Sequence, residues 1–256
     1  MKIGICCGIE KAGIVERLGF DHIEENLSQI AGLSEESFAR KLEKARGAGA
    51  AVYAFNCFFT SDTPVLSDSF FEVAEAYAKK AFSRAAAMGG KICVIGSGKA
   101  RTIPEGTSRE AAEARFVDIL RIFGREADKY GIKVVVEPLN RGETNFITTV
   151  GEAAKIVKRC ALENVGTMID FHHFSVENES GENLSEIKDL IFHAHIARSS
   201  PDRCVPDRED KEELKRWAEL LRKIDYRGAL SIEARYTDFE KELSERKEYL
   251  EEFFAL

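Results

Sequence analysis

The chain has 256 residues, 44% of them hydrophobic and 32% charged, with 19 Gly and only 5 Pro, which excludes disordered, collagen-like and fibrous classes. Its formal charge of −7, from 37 Lys and Arg against 44 Asp and Glu, argues against a general binder of nucleic acid or of anionic membranes. No run approaches the roughly 18 consecutive apolar residues of a membrane span, and the opening MKIGICCGIEKAG has acidic and Gly breaks where a signal peptide would be apolar.

The expected compartment is the cytoplasm. Six cysteines (Cys6, Cys7, Cys57, Cys93, Cys160 and Cys204) lie mostly in apolar runs without a CxxC pair, and they read as reduced thiols rather than a disulfide framework.

From the N-terminus onward one alternation repeats: a short β-branched or apolar run, a polar turn, then a longer segment with apolar residues at helical spacing. Eight strands are predicted: KIGICC from Lys2, DHIEEN from Asp21, AVYAFNCF from Ala51, KICVIGS from Lys91, KVVVEPL from Lys133, GTMIDF from Gly166, IFHAHIA from Ile191 and ALSIEAR from Ala229. Helices between them are marked by stripes such as Phe70, Ala74, Tyr77, Ala81, Ala85 and Met88. Others are Phe116, Ile119, Phe123, Ala127 and Tyr130, and then Leu214, Trp217, Leu221 and Ile224. Thr107 with Glu110 and Thr149 with Glu152 have capping-box spacing, and Gly49, Gly89 and Gly131 fall where helices should stop. Eight such units without a linker or a composition shift predict a single (β/α)8 TIM barrel over residues 1–256 rather than an open doubly wound sheet. Its reactive groups would sit at the C-terminal ends of the strands.

Those ends are polar where a barrel should be apolar. The fifth strand finishes in Glu137, the sixth in Asp170, the seventh in His193 and His195, and the eighth in Glu233. A carboxylate following Val134, Val135 and Val136 is costly to bury ionised, so it is paired with arginine, protonated, or bound to a cation. One cation facing all four ends would satisfy every group together. Three carboxylates and one imidazole form a hard donor set suited first to Mn²⁺, then Mg²⁺, with Co²⁺ or Zn²⁺ as further alternatives. In a continuing strand only one of His172 and His173 can share the face of Asp170. His193 reads as a core histidine or a support for a ligand, and equally as a residue with a direct role, and His22 reads as a surface or helix-packing residue.

In order and spacing these motifs resemble the xylose isomerase-like barrel superfamily, and within it the sugar isomerase/epimerase group of ketose 3-epimerases, hydroxypyruvate isomerase and inositol-catabolism isomerases and dehydratases. The resemblance is carried by EPLNRGE from Glu137, by D-x-x-H from Asp170 to His173, by H-x-H from His193 to His195 with Pro201-Asp202-Arg203 after it, and by SIEAR around Glu233. GFDHIEEN from Gly19 and VIGSGKAR with Pro104-Glu105-Gly106 match as well. It implies that Glu137, Asp170, His195 and Glu233 ligate a divalent metal, that Glu137 and Glu233 also act as the acid/base pair, and that Glu143, His173 and Arg203 hold a sugar or sugar derivative. The implied chemistry is proton transfer through a metal-stabilised enediolate, because a hydrogen beside a carbonyl is too weak an acid for an unaided carboxylate.

Arg198 stands where the family often has Asp, and it competes with Arg203 for the substrate. Glu10, Asn56 and Cys57 are candidate pocket residues that read equally as surface or packing positions. In GSGKAR, which lacks Walker spacing, Lys99 and Arg101 read as a solvated loop before an anion contact. A metal-dependent lyase or dehydratase acting on a keto-sugar, keto-inositol or keto-glycoside is the main alternative. A sugar-binding relative without activity would have little reason to keep both glutamates, and an apurinic/apyrimidinic endonuclease-like hydrolase would need extra histidines at the second and third strands, whereas this chain has only His22 before residue 172. Tyr249, Phe253 and Phe254 read as closing the barrel against the first helix, with a homo-oligomer contact as the other reading, so oligomeric state stays open.

Overall fold

The computed structural model describes residues 1–199 and 202–254, so Pro201 of the motif before Arg203 lies outside the described residues. In chain order the strands and helices are β1 (Lys2–Cys6), α1 (Ala12–Arg17), β2 (His22–Asn26), α2 (Leu27–Gly32), α3 (Glu35–Gly47), β3 (Ala51–Asn56), α4 (Asp68–Ala87), β4 (Ile92–Ile95) and α5 (Arg109–Asp128). Then come β5 (Lys133–Val136), α6 (Val150–Cys160), β6 (Val165–Asp170), α7 (Phe171–Val176), β7 (Ile191–Ile196), α8 (Lys211–Lys223), β8 (Ala229–Ile232) and α9 (Phe239–Phe254). All strands pair in parallel with their neighbours, and β8 returns to β1, which closes the predicted eight-stranded barrel. No helix among the described residues is long and apolar enough to cross a membrane.

Strand alternation decides what enters the barrel. Ile3, Ile5, Ile23, Cys93, Ile95, Val134, Val136, Ile169, Ala194, Ile196, Leu230 and Ile232 join the core shared with the helices. The opposite faces line the lumen, and they divide it. One wall is apolar, from Ala54, Ile92, Val94, Val135 and Met168. The other wall, from β7, β8 and β2, is a hydrogen-bonded string in which Ser231 Oγ meets His22 Nε2 at 3.1 Å and His193 Nε2 at 3.4 Å.

His22 is therefore not the surface or helix-packing residue that its isolation suggests. Only 2% of it is exposed, and it occupies space left by Gly4, where any Cβ would collide with the imidazole ring. Burial, with His193 nearby, lowers its pKa to about 4. An unfolded histidine titrates near 6.5, so the unfolded chain gains a proton that the folded one refuses between those values. Stability present above about pH 6.5 should thus be lost as pH falls through 4, by about 3 kcal/mol from this residue. Urea midpoints measured against pH should fall less steeply on the acid side in His22→Asn, and parallel curves would reject the assignment.

Helix ends agree with the sequence with one shift. The α5 cap is Ser108, whose Oγ accepts from Ala111 N at 3.1 Å, rather than Thr107, while Thr149 caps α6 as expected. Glu152 reaches back to Thr148 N at 2.7 Å, one residue earlier than a capping box requires. Tyr249 and Phe254 are buried, Phe253 O accepts from Arg222 at 3.0 Å, and Arg17 pairs with Glu240 at 2.5 Å. α9 thus meets α1 through Glu240 and α8 through Phe253, while the Tyr249 ring packs against Phe253 and Arg208.

Candidate active site

Four lumen-facing side chains converge at the C-terminal mouth. Glu137 and Glu233 each lie one residue beyond their strands, held by the ladder bonds Glu137 N to Ile95 O and Glu233 N to Ile196 O, both 3.1 Å. Asp170 ends β6 and His195 faces the lumen from β7. One donor atom from each of the four lies within 4.8 Å of the others. Gly96 makes this possible, since a Cβ at that position would occupy the place of Glu137 Oε2.

His195 Nε2 meets Glu24 Oε1 at 2.9 Å, and because an ionised carboxylate only accepts, Nε2 carries the proton. The remaining nitrogen, Nδ1, faces Glu233 Oε2 at 3.3 Å, Glu137 Oε1 at 3.6 Å and Asp170 Oδ2 at 3.7 Å. Nδ1 and Glu137 Oε1 are buried without a hydrogen-bond partner. With no metal, the ring answers this field by taking a second proton: burial opposes that charge, but Glu24 and Glu233 hold its pKa well above the usual value. Glu137 answers by neutralising, since burial raises its pKa to about 8 and the charges of Glu233 and Asp170 add to the effect. A divalent cation removes the need for both responses. Three carboxylates and one imidazole lone pair, with two of their atoms orphaned, fit one hard ion.

Asp170 does not continue the strand. Its side chain caps α7, with Oδ1 accepting from His172 N at 2.8 Å and from His173 N at 3.2 Å. The turn resolves the choice between the two histidines. His173 Nε2 faces the cluster, 3.8 Å from Asp170 Oδ2 and 4.0 Å from Glu137 Oε1, whereas His172 Nδ1 lies 2.8 Å from Arg198 O. Asn140 donates to His173 Nδ1 from its backbone N at 3.2 Å, so the other ring nitrogen, Nε2, bears the proton. Arg203 NH1 lies 3.2 Å from that same Nε2, on the side of the ring away from Asn140.

Arg203 NH2 contacts Asp170 Oδ2 at 2.8 Å and also pairs with Glu233 Oε2. Burial works against the Asp170 charge, but His173 and Arg203 hold its pKa well below the usual carboxylate range. Glu143 is half-exposed at the rim, 3.8 Å from Arg203 NH1 and 3.2 Å from Asn140 Nδ2. Arg198 points elsewhere, pairing with Asp207 at 2.9 Å and Asp210 at 3.0 Å. Lys99 is exposed, but Arg101 departs from the solvated-loop reading: it is fully buried, donating to Gly96 O at 2.7 Å and to Glu137 O, beneath the site rather than in it.

Two clefts meet at this cluster and share Glu233 and Ala234 as their common wall. One, of about 510 Å³, is lined by Glu143, His172, Asp202, Arg203 and Arg235. The other, of about 310 Å³, includes Cys6, Glu10, Glu24, Asn56 and Cys57, three of which are the pocket candidates of the first and third strands. Asn56 Nδ2 donates to Glu233 Oε1 at 2.8 Å. Glu24 and Asn140 carried no assigned role in the sequence. Glu24 acts across the lumen, and Asn140 acts through a ring whose direction only the turn reveals.

Fold and site together define a closed (β/α)8 barrel with four residues at its C-terminal mouth that could hold a metal ion. A profile of the family described as xylose isomerase-like TIM barrel matches residues 13–253, and this chain belongs to that family. It is 29% identical over 229 residues to D-psicose 3-epimerase of Agrobacterium fabrum, covering 86% of this chain and 76% of that protein. It is 33% identical over 81 residues to 3-dehydro-D-guloside 4-epimerase of Escherichia coli K12, a match spanning 31% of each chain. Among solved structures, D-psicose 3-epimerase of Clostridium cellulolyticum with D-tagatose superposes with a TM-score of 0.84 over 99% of each chain at 19% identity, a likeness of fold.

Proposed function

We propose that this chain is a divalent-metal-dependent sugar epimerase or isomerase that moves a proton at a carbon beside a carbonyl, with Glu137 and Glu233 as its acid and base. The observation that carries the reading is the paired geometry of these two glutamates. Each turns one oxygen toward His195 Nδ1 and keeps a second oxygen apart, Glu137 Oε2 over Gly96 and Glu233 Oε1 beside Asn56. Relatives named as epimerases of D-psicose and of a 3-dehydro-guloside point to a keto-sugar or its derivative as substrate.

Glu137, Asp170, His195 and Glu233 would hold the cation, Mn²⁺ by the hardness of the donors, and when bound it would supply a Lewis acid for the charge that builds on the substrate carbonyl oxygen. His173 and Arg203 would orient a substrate oxygen, and Glu143 would accept from a hydroxyl at the rim. One glutamate takes the proton and the other returns one. Free thiols at all six cysteines and the −7 charge suit a cytoplasmic enzyme of small molecules rather than a partner of nucleic acid.

Solvent deuterium should enter one carbon beside the carbonyl when Mn²⁺-loaded protein meets a panel of ketoses, aldoses and keto-glycosides, followed by NMR. Chelator-treated protein should show none. A stereoisomeric product supports epimerisation, loss of a β-substituent would instead make the chain a lyase, and no exchange by metal-loaded protein on any of the panel would reject the proposal.

A further inference from the structure

Glu24 is 1% exposed and ties strands that do not pair: β2 and β7 are separated by β1 and β8, so its carboxylate crosses the lumen rather than following a ladder. Both of its oxygens are engaged, Oε1 with His195 Nε2 at 2.9 Å and Oε2 with His193 Nε2 at 2.8 Å. Burying an ionised carboxylate costs several kcal/mol unless its partners are well placed, and the opposite wall of the same lumen is filled with apolar side chains instead. Filling space does not account for a charge here.

We infer that Glu24 is the positioning residue that makes His195 a cation ligand through Nδ1, by accepting from Nε2 and fixing the tautomer and the ring plane. The inference rests on the cluster being a cation site. An imidazole has one lone pair to give once its other nitrogen is protonated, and an acceptor-only partner at Nε2 leaves Nδ1 as the donor. The negative charge of that partner also makes the ring a stronger donor. His193 braces the carboxylate from behind, and Ser231 and His22 extend the brace down the barrel. His193 therefore supports the ligand at one remove instead of binding.

The test compares Mn²⁺ affinity of wild-type protein and Glu24→Gln by calorimetry on the full chain. Gln keeps the shape and can still accept from His195, but it lacks the charge and turns a donor toward His193. Affinity should fall by about 10- to 100-fold, with circular dichroism unchanged. Equal affinity would overturn the inference while leaving the cation site standing, whereas wild-type protein that takes up no Mn²⁺ would overturn the site itself. A second measurement needs no variant: ¹⁵N NMR of the Zn²⁺-loaded wild type should find His195 protonated at Nε2 and metal-bound at Nδ1. The opposite tautomer would overturn the inference.

Discussion

Replacing Glu137 or Glu233 with Gln should lower kcat by about 10²- to 10⁴-fold, the range for loss of a positioned acid or base, with the fold intact. The amide fills the same space and can still offer an oxygen to a cation, but it cannot accept a proton. The two variants should differ in what else they disturb. Glu233 accepts from Asn56 and pairs with Arg203, so its replacement also loosens the substrate contacts and should raise KM. Glu137 has a buried oxygen without a hydrogen-bond partner and a neighbouring glycine, so its replacement should act mainly on kcat. Metal content measured alongside separates a lost proton transfer from a lost ligand. Turnover within about threefold of wild type in both variants, a loss far smaller than any acid or base should cause, would remove the assignment.

Stripping the cation should inactivate the protein and lower its melting temperature without unfolding it. The cluster holds three carboxylates and one ring, and without the ion their mutual repulsion is met by the raised pKa values of Glu137 and His195 and by the Arg203 guanidinium against Asp170 and Glu233. A ligand at 100 times its dissociation constant adds about 2.7 kcal/mol. For a chain of this size each kcal/mol shifts Tm by about 2–4 °C, so restoring Mn²⁺ should raise it by about 5–10 °C. Asp170→Asn should flatten that response, because Asp170 is the deepest of the charged donors and also the cap of α7. Superimposable melting curves with and without Mn²⁺ would count against a cation site.

Much of the barrel was legible because most strand cores are compact apolar runs bounded by polar turns, and alternation carries Val135 to Glu137, Met168 to Asp170 and His193 to His195 on one face. What escaped the sequence acts across space. Glu24 sits in DHIEEN beside Glu25, and nothing in that string says which carboxylate enters the lumen; Glu25 in fact accepts from Ile9 N and pairs with Lys41. His22 looked superficial because the room for it is made by Gly4, on another strand. Arg101 looked solvated because its loop is polar, yet the carbonyls of Gly96 and Glu137 draw it inward. The choice between His172 and His173 turned on whether Asp170 continues a strand or caps a helix, which its own side chain decides.

Arg203 has φ of 53°, an uncommon backbone for a long side chain and one that costs of order 1–3 kcal/mol. Its carbonyl accepts from Arg235 N at 2.8 Å, and Cys204 O accepts from Arg198 N at 2.8 Å, so backbone bonds tie this stretch to the segments after β7 and β8. Two carboxylates then hold its guanidinium. A free arginine arm gives up about 2 kcal/mol of rotational freedom when it is fixed. Here most of that freedom is surrendered when the barrel folds, before any sugar arrives. On the proposed reading, the affinity of the arm for an incoming oxygen would not be eroded by the cost of ordering it, and a departing product would leave behind an arm already set for the next molecule.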